Sequence, residues 1–268
     1  NGLVDARELE GIDPDLVVKP FGWKGHTARL RRFGARAARI HFLIQSHVDT
    51  LEHQEDPDPG LYGFGPNWWD PDGDKRAREL EEGTLTALAV YMTLLEVPVI
   101  IPPHDAGLRE RWANGSELFD RIGCSDCHVR SLSLASTRWT EDPDTTGGPG
   151  VTINLNSDGE PPRADHGAVM LFSDLKRHDM GEELADPSPD GTGIRPEMFL
   201  TRPLWGLAES PPYLHDGRAP TIADAILAHG GEASPQRAGY EALSDEQRAD
   251  IHIFLLSLTR EPKLMIPR

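Results

Sequence analysis

Apolar side chains recur at helical spacing in several stretches of the chain, and each stretch predicts an amphipathic helix. The first runs from about Thr27 to Leu51 and the second from about Lys75 to Leu95. A third helix is predicted to start at Ser116, whose hydroxyl can cap it. Two more begin with sequences typical of capping boxes, at Thr221 and at Ser244.

Long irregular stretches separate these helices. Between residues 129 and 202 Gly, Pro, Asp and Thr are frequent and periodic runs are few, which predicts mostly loop. We therefore expect a mostly α fold with long loops. It divides into an N-terminal helical and loop region over residues 1–105, a remnant of or linker to a further domain, and a C-terminal domain over residues 106–268.

Composition and charge narrow the class of partner. The 268-residue chain is 38% hydrophobic and carries a formal net charge of −17, so it is expected to be globular and to repel nucleic acid. No apolar stretch is long enough for a transmembrane segment. The chain begins at Asn1 without a leader sequence, which predicts a processed protein or a piece of one.

The two cysteines of the chain identify its cofactor chemistry. Cys124, Cys127 and His128 form the pattern by which haem c is attached: two thiols bind the porphyrin vinyl groups, and the adjoining His reaches the iron. A thioredoxin-like pair would not need the His, and zinc would need further ligands that are not evident. We therefore predict one covalent haem c in a cytochrome c-like domain.

The second axial ligand of the iron is not decided by this motif. Met and His are the side chains that can supply it. The candidates are Met170, Met180, Met198, His166, His178, His215 and His229.

Carboxylates also alternate upstream in the manner of a calcium loop. The candidate ligands are Asp70, Asp72, Asp74 and Glu81. Lys75 stands where such a loop needs Gly for its sharp turn, so an acidic turn that caps the next helix is the alternative.

Several blocks of sequence together resemble one family. They are Phe21-Gly-Trp-Lys24, Lys176-Arg-His-Asp-Met-Gly181, Leu200-Thr-Arg-Pro-Leu-Trp-Gly-Leu207, Ser210-Pro-Pro-Tyr-Leu-His-Asp-Gly-Arg-Ala219 and His229-Gly-Gly-Glu-Ala233. Their order resembles the di-haem cytochrome c peroxidase and MauG superfamily, and within it the di-haem oxidoreductases, over most of residues 20–260.

The resemblance implies roles for particular residues. The family's distal ligand stands fourteen positions after the His of the Tyr-x-His-Asp-Gly block, which is His229 in this chain. His128 and His229 would then both bind the iron, with His178 and Met180 as the next candidates. His215 would lie near the haem edge, and Trp205 would either relay electrons between haems or be a core residue.

The chain departs from the family by carrying only one haem motif, where the family has two. We therefore expect a periplasmic or extracellular cytochrome that transfers electrons to a redox partner protein, such as another cytochrome. One alternative is a peroxidase-type di-haem oxidoreductase whose peroxidatic haem lies outside this chain. Another is a cytochrome subunit of a larger electron-transfer complex.

Overall fold

The computed structural model describes residues 11–46, 76, 79–95, 97–141, 150–155, 167–186 and 193–260. Within these ranges the α-helices are α1 (Leu30–Phe42), α2 (Glu82–Thr93), α3 (Ala106–Arg121), α4 (Ile222–Leu227), α5 (Ser234–Glu241) and α6 (Asp245–Leu256). Short 3₁₀ turns occupy Cys124–Asp126, Glu182–Leu184, Leu207–Glu209 and Gly231–Ala233. None of the described helices is long and apolar enough to cross a bilayer.

Short strands pair into antiparallel two-stranded ribbons. The strands are β1 (Pro98–Ile100), β2 (Leu132–Ser133), β3 (Arg138–Glu141), β4 (Val151–Asn154), β5 (Ala168–Val169), β6 (Arg177–Asp179), β7 (Met198–Leu200) and β8 (Leu258–Arg260). They pair as β1 with β8, β2 with β5, β3 with β4 and β6 with β7. The region expected to be mostly loop is thus partly organised by ribbons, so the described chain mixes helices with short strands.

Helix α3 crosses α6 in the main core. At the crossing the two backbones nearly touch, since a Cβ on Gly115 would lie 2.0 Å from the carbonyl oxygen of Asp250. The buried apolar side chains here are Leu118, Phe119, Phe172, Tyr240, Ile251, Phe254, Leu255 and Leu258. This core holds α3 in place, and the cysteine motif follows directly on its last turn.

The start of α3 differs from the prediction. The helix begins at Ala106, because the side chain of Asp105 caps it by accepting a hydrogen bond from the Leu108 amide at 2.9 Å. Ser116 lies inside the helix, where its hydroxyl accepts from Arg130 at 3.0 Å. The predicted start at Ser116 is therefore wrong.

Both capping boxes are confirmed. Thr221 accepts from the amide of Asp224, whose carboxylate accepts from the Thr221 amide, and α4 begins after this pair. Ser244 and Gln247 make the same reciprocal bonds at the start of α6. These local signals correctly position the two helices that flank the His229 loop and α5.

The first two helices pack on each other around Ala35 and Leu85. Both are shorter than predicted: α1 ends where Leu43 takes a left-handed conformation, and α2 begins only at Glu82. The buried guanidinium of Arg31 joins this pair to β3, since it lies 3.2 Å from Glu82 Oε1 and 3.2 Å from Glu141 Oε1. A buried cation needs such partners to offset the cost of losing water.

Candidate haem site

The cysteine motif leaves α3 through a sharp turn. Gly123 takes a φ of 85°, a left-handed conformation that suits glycine, and a 3₁₀ turn over Cys124–Asp126 follows. The His128 amide donates to the Cys124 carbonyl at 3.0 Å, so the motif is wound into one compact turn. Neither cysteine forms a disulfide, and Cys124 packs against the main core.

Burial keeps the Cys124 thiol protonated. Loss of water raises its pKa to about 12, with smaller contributions from nearby acidic groups. The thiol is therefore neutral and weakly nucleophilic in the folded chain. Its position against an apolar core suits a thioether to a porphyrin edge better than a reactive thiolate.

His128 has one ring nitrogen committed and one available. Nδ1 lies 3.0 Å from the carbonyl oxygen of Phe172, and because a carbonyl can only accept, Nδ1 carries the proton. Burial, the main cause, lowers the pKa of His128 to about 4, so the ring is neutral at pH 7. The unprotonated Nε2 is then the form of imidazole that binds a metal.

His229 has the same arrangement in the segment that contains α4. It follows α4, and its Nδ1 lies 2.7 Å from the carbonyl oxygen of Ala225. Burial lowers its pKa as well, while the hydrogen bond to Ala225 works in the other direction. A charge on His229 would lower the pKa of His128, so the two rings lie within electrostatic range of each other.

Each histidine thus presents Nε2 as its metal-binding atom. Within the described residues neither Nε2 forms a hydrogen bond. A ligating His that donates its other N–H to a carbonyl is the usual second shell of a metal site, because the bond fixes the tautomer and aims the ring. The two cysteines, the two histidines and the apolar core against which Cys124 packs together fit a haem.

His178, a runner-up ligand, has both ring nitrogens occupied. Nε2 lies 2.9 Å from Asp174 Oδ2 and Nδ1 lies 2.7 Å from Glu232 Oε2. The hydrogen bond to Asp174 is the largest cause that raises the pKa of His178 to about 11, so the ring is an imidazolium at neutral pH. A doubly bonded cation has no lone pair to offer a metal.

The other candidate ligands lie in varied surroundings. Met170 packs at the edge of the main core. Met198 Sδ lies 3.2 Å from an Arg195 guanidinium nitrogen on the surface, and Met180 follows β6 with its amide bonded to the Glu197 carbonyl. His166 lies outside the described residues.

His215 lies in a separate polar cluster. Its ring stacks on Phe199 with centroids 4.4 Å apart, and Nε2 lies 3.1 Å from Asp186 Oδ1. The buried Lys24 ammonium lies 3.0 Å from the other oxygen of Asp186, and Trp23 meets the His215 ring edge-on at 6.5 Å. The structure thus brings together residues from two of the blocks that carry the family resemblance, residues 21–24 and 210–219.

Trp205 lies on the surface, with 36% of its area exposed. It is not among the residues that pack on the main core. The interpretation of Trp205 as a core residue is therefore wrong, and its role as an electron relay stays a prediction.

The calcium prediction falls mostly on undescribed chain. Asp70, Asp72 and Asp74 lie outside the described residues. Glu81 is described, and it occupies the position before the first turn of α2. Among the described residues no group of His, Cys, Asp or Glu is arranged to hold a metal ion.

Sequence reasoning missed the groups that orient the two histidines. The carbonyl of Phe172 belongs to a residue with no local signal, since it is far from His128 in the chain. The bond to the Ala225 carbonyl could have been predicted, because His229 stands four positions after Ala225 at the end of a helix. The carboxylates around His178 were also missed.

Comparison with known proteins agrees with the motif. Residues 86–258 match the family described as "Di-haem oxidoreductase, putative peroxidase". No curated protein matches the sequence.

Two solved structures are also similar. Hydrazine synthase from Kuenenia stuttgartiensis is 22% identical with a TM-score of 0.39, and the match covers 70% of this chain but 59% of that one. This chain therefore spans less than two thirds of that protein's length. A MauG-like protein associated with microbial copper homeostasis is 18% identical with a TM-score of 0.46, over 92% of this chain and 73% of that one. Both TM-scores are low, and neither likeness bears on activity.

Proposed function

Because this chain belongs to the di-haem oxidoreductase family, we propose that it is an extracytoplasmic c-type cytochrome that transfers electrons through one covalent haem. Cys124 and Cys127 would hold the porphyrin by thioether bonds. His128 and His229 would both bind the iron, within a haem domain that spans residues 106–268. Family membership itself indicates haem-based redox or peroxidase-type function.

The observation that supports this proposal best is the matched pair of hydrogen bonds on the two histidines. Each Nδ1 donates to a main-chain carbonyl, from His128 to Phe172 and from His229 to Ala225. A histidine that only packs in the core can also have one bonded ring nitrogen. Two histidines with the same bonded Nδ1 and the same available Nε2 are what a shared metal requires. Two neutral rings with available Nε2 atoms suit an iron with two histidine ligands.

A bound haem supplies an iron that exchanges one electron. The chain's own residues decide how that exchange is tuned. Two imidazole ligands favour a lower reduction potential than one imidazole and one thioether. Apolar side chains that pack on the main core, as Cys124 does, would limit the entry of water; they include Met170, Leu204, Ile222 and Ile226. If both histidines bound the iron, a small molecule would have no free place on it.

The cellular compartment and the net charge of the chain together indicate the kind of redox partner. Haem attachment to this motif takes place outside the cytoplasm, which supports a periplasmic or extracellular location. The net charge of −17 favours association with a basic redox protein and predicts that added salt slows the encounter. Another cytochrome with a basic face would satisfy both conditions.

The family description supports a second candidate function. In that case this chain would serve a peroxidase-type oxidoreductase, with the peroxide-reactive haem held by another chain or domain. The haem of this chain would then deliver electrons to the reactive one. The His128/His229 site would have the same role in both cases, and only the acceptor would differ.

The experiment that tests the proposal is a redox-titrated visible and paramagnetic resonance spectrum of the haem-loaded chain, with the haem counted chemically. One low-spin haem that does not react with peroxide would support electron transfer. The His229→Ala variant should become high-spin, whereas His215→Gln should keep the low-spin spectrum. A high-spin haem in the unaltered chain that consumes peroxide would overturn the proposal in favour of the enzyme.

A further inference from the structure

The turn that follows His229 is docked on β6 backbone against backbone. A Cβ on Gly231 would lie 2.1 Å from the carbonyl oxygen of Asp179, and one on Gly230 would lie 2.8 Å from the carbonyl oxygen of Met180. A Cβ on Gly181 would lie 2.9 Å from the Gly231 amide nitrogen. The glycines allow a closeness that no other residue would permit, so this contact is a defined docking of one segment on another.

Glu232 fastens the docked turn with both of its carboxylate oxygens. Oε1 accepts a hydrogen bond from the Asp179 amide at 2.8 Å. Oε2 accepts from Nδ1 of His178 at 2.7 Å. One side chain therefore holds both the backbone and a ring of β6, and it belongs to the turn that carries His229.

The same ring connects onward to the cysteine motif. Nε2 of His178 donates to Asp174 Oδ2 at 2.9 Å, and the Asp174 amide donates to the Cys127 carbonyl at 2.9 Å. Both ring nitrogens of His178 lie on carboxylate oxygens, which can only accept, so the ring donates twice as a cation and both bonds are charge-assisted. We call Asp174, His178 and Glu232 the clasp.

We propose that the clasp is a positioning device that holds the His229 turn against the segment carrying His128, and so sets how readily His229 leaves the iron. The inference rests on the proposed function, since it takes His229 as the iron ligand. Asp174, His178 and Glu232 act through His229 and do not touch the iron themselves.

Mechanically, the clasp is the long-range restraint on a short element. Helix α4 spans only Ile222–Leu227 and is capped at its start by Thr221. Beyond the helix, His229 is held locally by its bonds to Ala225 and Ile226, both on the same segment. Local bonds would travel with the turn if it moved away. Within the part of the chain that the structure describes, the clasp and the glycine docking tie the turn itself to β6 and the residues beside it.

Carbon monoxide binding to the reduced haem measures this restraint directly. Carbon monoxide can bind the iron only where a ligand position is free. If His229 holds that position, the rate of binding is limited by the rate at which His229 leaves. The Glu232→Ala variant should bind carbon monoxide about tenfold faster than the unaltered chain, because losing the two hydrogen bonds that hold the turn shifts its equilibrium by roughly that factor. The matched control is Glu241→Ala, which removes an exposed carboxylate on α5.

Two further variants separate positioning from general damage. Glu232→Gln keeps an oxygen for the Asp179 amide but loses the negative charge that faces His178. It should therefore stay folded and bind carbon monoxide at an intermediate rate. The double variant of Glu232→Ala with His178→Ala should be no faster than the faster single variant, because both remove the same link. If Glu232→Ala does not fold, the rate of Glu232→Gln against Glu241→Ala decides.

These measurements separate a failure of the clasp from a failure of the ligand assignment. If His229→Ala turns high-spin but Glu232→Ala and Glu232→Gln bind carbon monoxide at the rate of Glu241→Ala, the clasp has no positioning role and the inference is overturned. If His229→Ala itself keeps the low-spin spectrum, His229 is not the ligand and the proposed function fails, whatever the clasp variants do.

Discussion

Nδ1 of His128 lies 3.0 Å from the carbonyl oxygen of Phe172, a buried residue with a left-handed backbone at φ 52°. A phenylalanine in this conformation is uncommon and is held there by its surroundings. Here the ring is locked among Phe119 and Phe254, with centroids 6.1 and 6.0 Å away. The aromatic core thereby aims the carbonyl that orients the His128 ring.

This relationship predicts different effects for two equally buried rings. Phe172→Leu and Phe254→Leu should each lower the free energy of unfolding by about 1–2 kcal/mol through poorer packing. Phe172→Leu should change the reduction potential more than Phe254→Leu does, because it alters the residue whose carbonyl bonds His128, whereas Phe254 acts only through the Phe172 ring. Chemical unfolding and redox titration of the haem-loaded variants measure the two effects. Equal potentials in both would mean that the Phe172 carbonyl has no role in tuning.

Replacing His229, the proposed second ligand of the iron, should move the reduction potential in one direction. His229→Met should raise it by on the order of 100 mV, because a thioether favours reduced iron more than imidazole does. His215→Gln is the control, since His215 pairs with Asp186 in a different cluster. Redox titration with visible spectra checks both. An unchanged potential in His229→Met would contradict the ligand assignment.

The helix crossing in the main core predicts opposite results for two glycines of α3. Gly115→Ala should cost about 2 kcal/mol or more, because its Cβ would clash with the Asp250 carbonyl. Gly107→Ala has only ordinary contact with the Asp105 side chain, at 3.4 Å, and should stabilise by about 0.5 kcal/mol through helix propensity. Urea unfolding of both variants tests this. A stable Gly115→Ala would mean that the helices can separate without penalty.

A pH effect follows from His252, whose Nε2 lies 2.8 Å from the Tyr240 hydroxyl. Burial lowers the pKa of His252 below its ordinary 6.5, so the folded chain takes up this proton less readily than the unfolded chain. Stability from this residue is therefore complete above about pH 6.5 and is lost as pH falls toward the folded-state pKa.

The His252→Gln variant isolates that effect, because glutamine can accept from Tyr240 but does not titrate. The difference in unfolding free energy between the unaltered chain and the variant should shift in favour of the variant as pH falls from about 7.5 to about 5.5. Urea unfolding at several pH values gives the two curves. Parallel curves would show that His252 takes its proton equally well in both states.

Local sequence signals predicted local structure well. The capping boxes at Thr221 and Ser244 appear as expected, because such bonds close within one helical turn. The true start of α3 was missed, since Asp105 is a good cap but precedes a stretch of weak apolar periodicity. The short ribbons were missed because strands of a few residues leave no recognisable alternation.

The site divides in the same way. The cysteine motif was evident from spacing, and His229 followed from the family resemblance. The clasp could not have been predicted, because His178 and Glu232 are 54 positions apart and meet only after the chain folds. Long-range pairs of this kind depend on tertiary packing, which a single sequence does not reveal.

The pairing of β1 with β8 has a consequence for how this unit can be rearranged. Pro98 is the ladder partner of Arg260, so the two ends of the stretch that contains α3, the cysteine motif and α6 are neighbours. A segment whose ends meet can be circularly permuted or inserted into a host loop without stretching its interior. We therefore expect that residues 98–260 can be moved into another protein as one unit, joined to it at the β1–β8 ribbon.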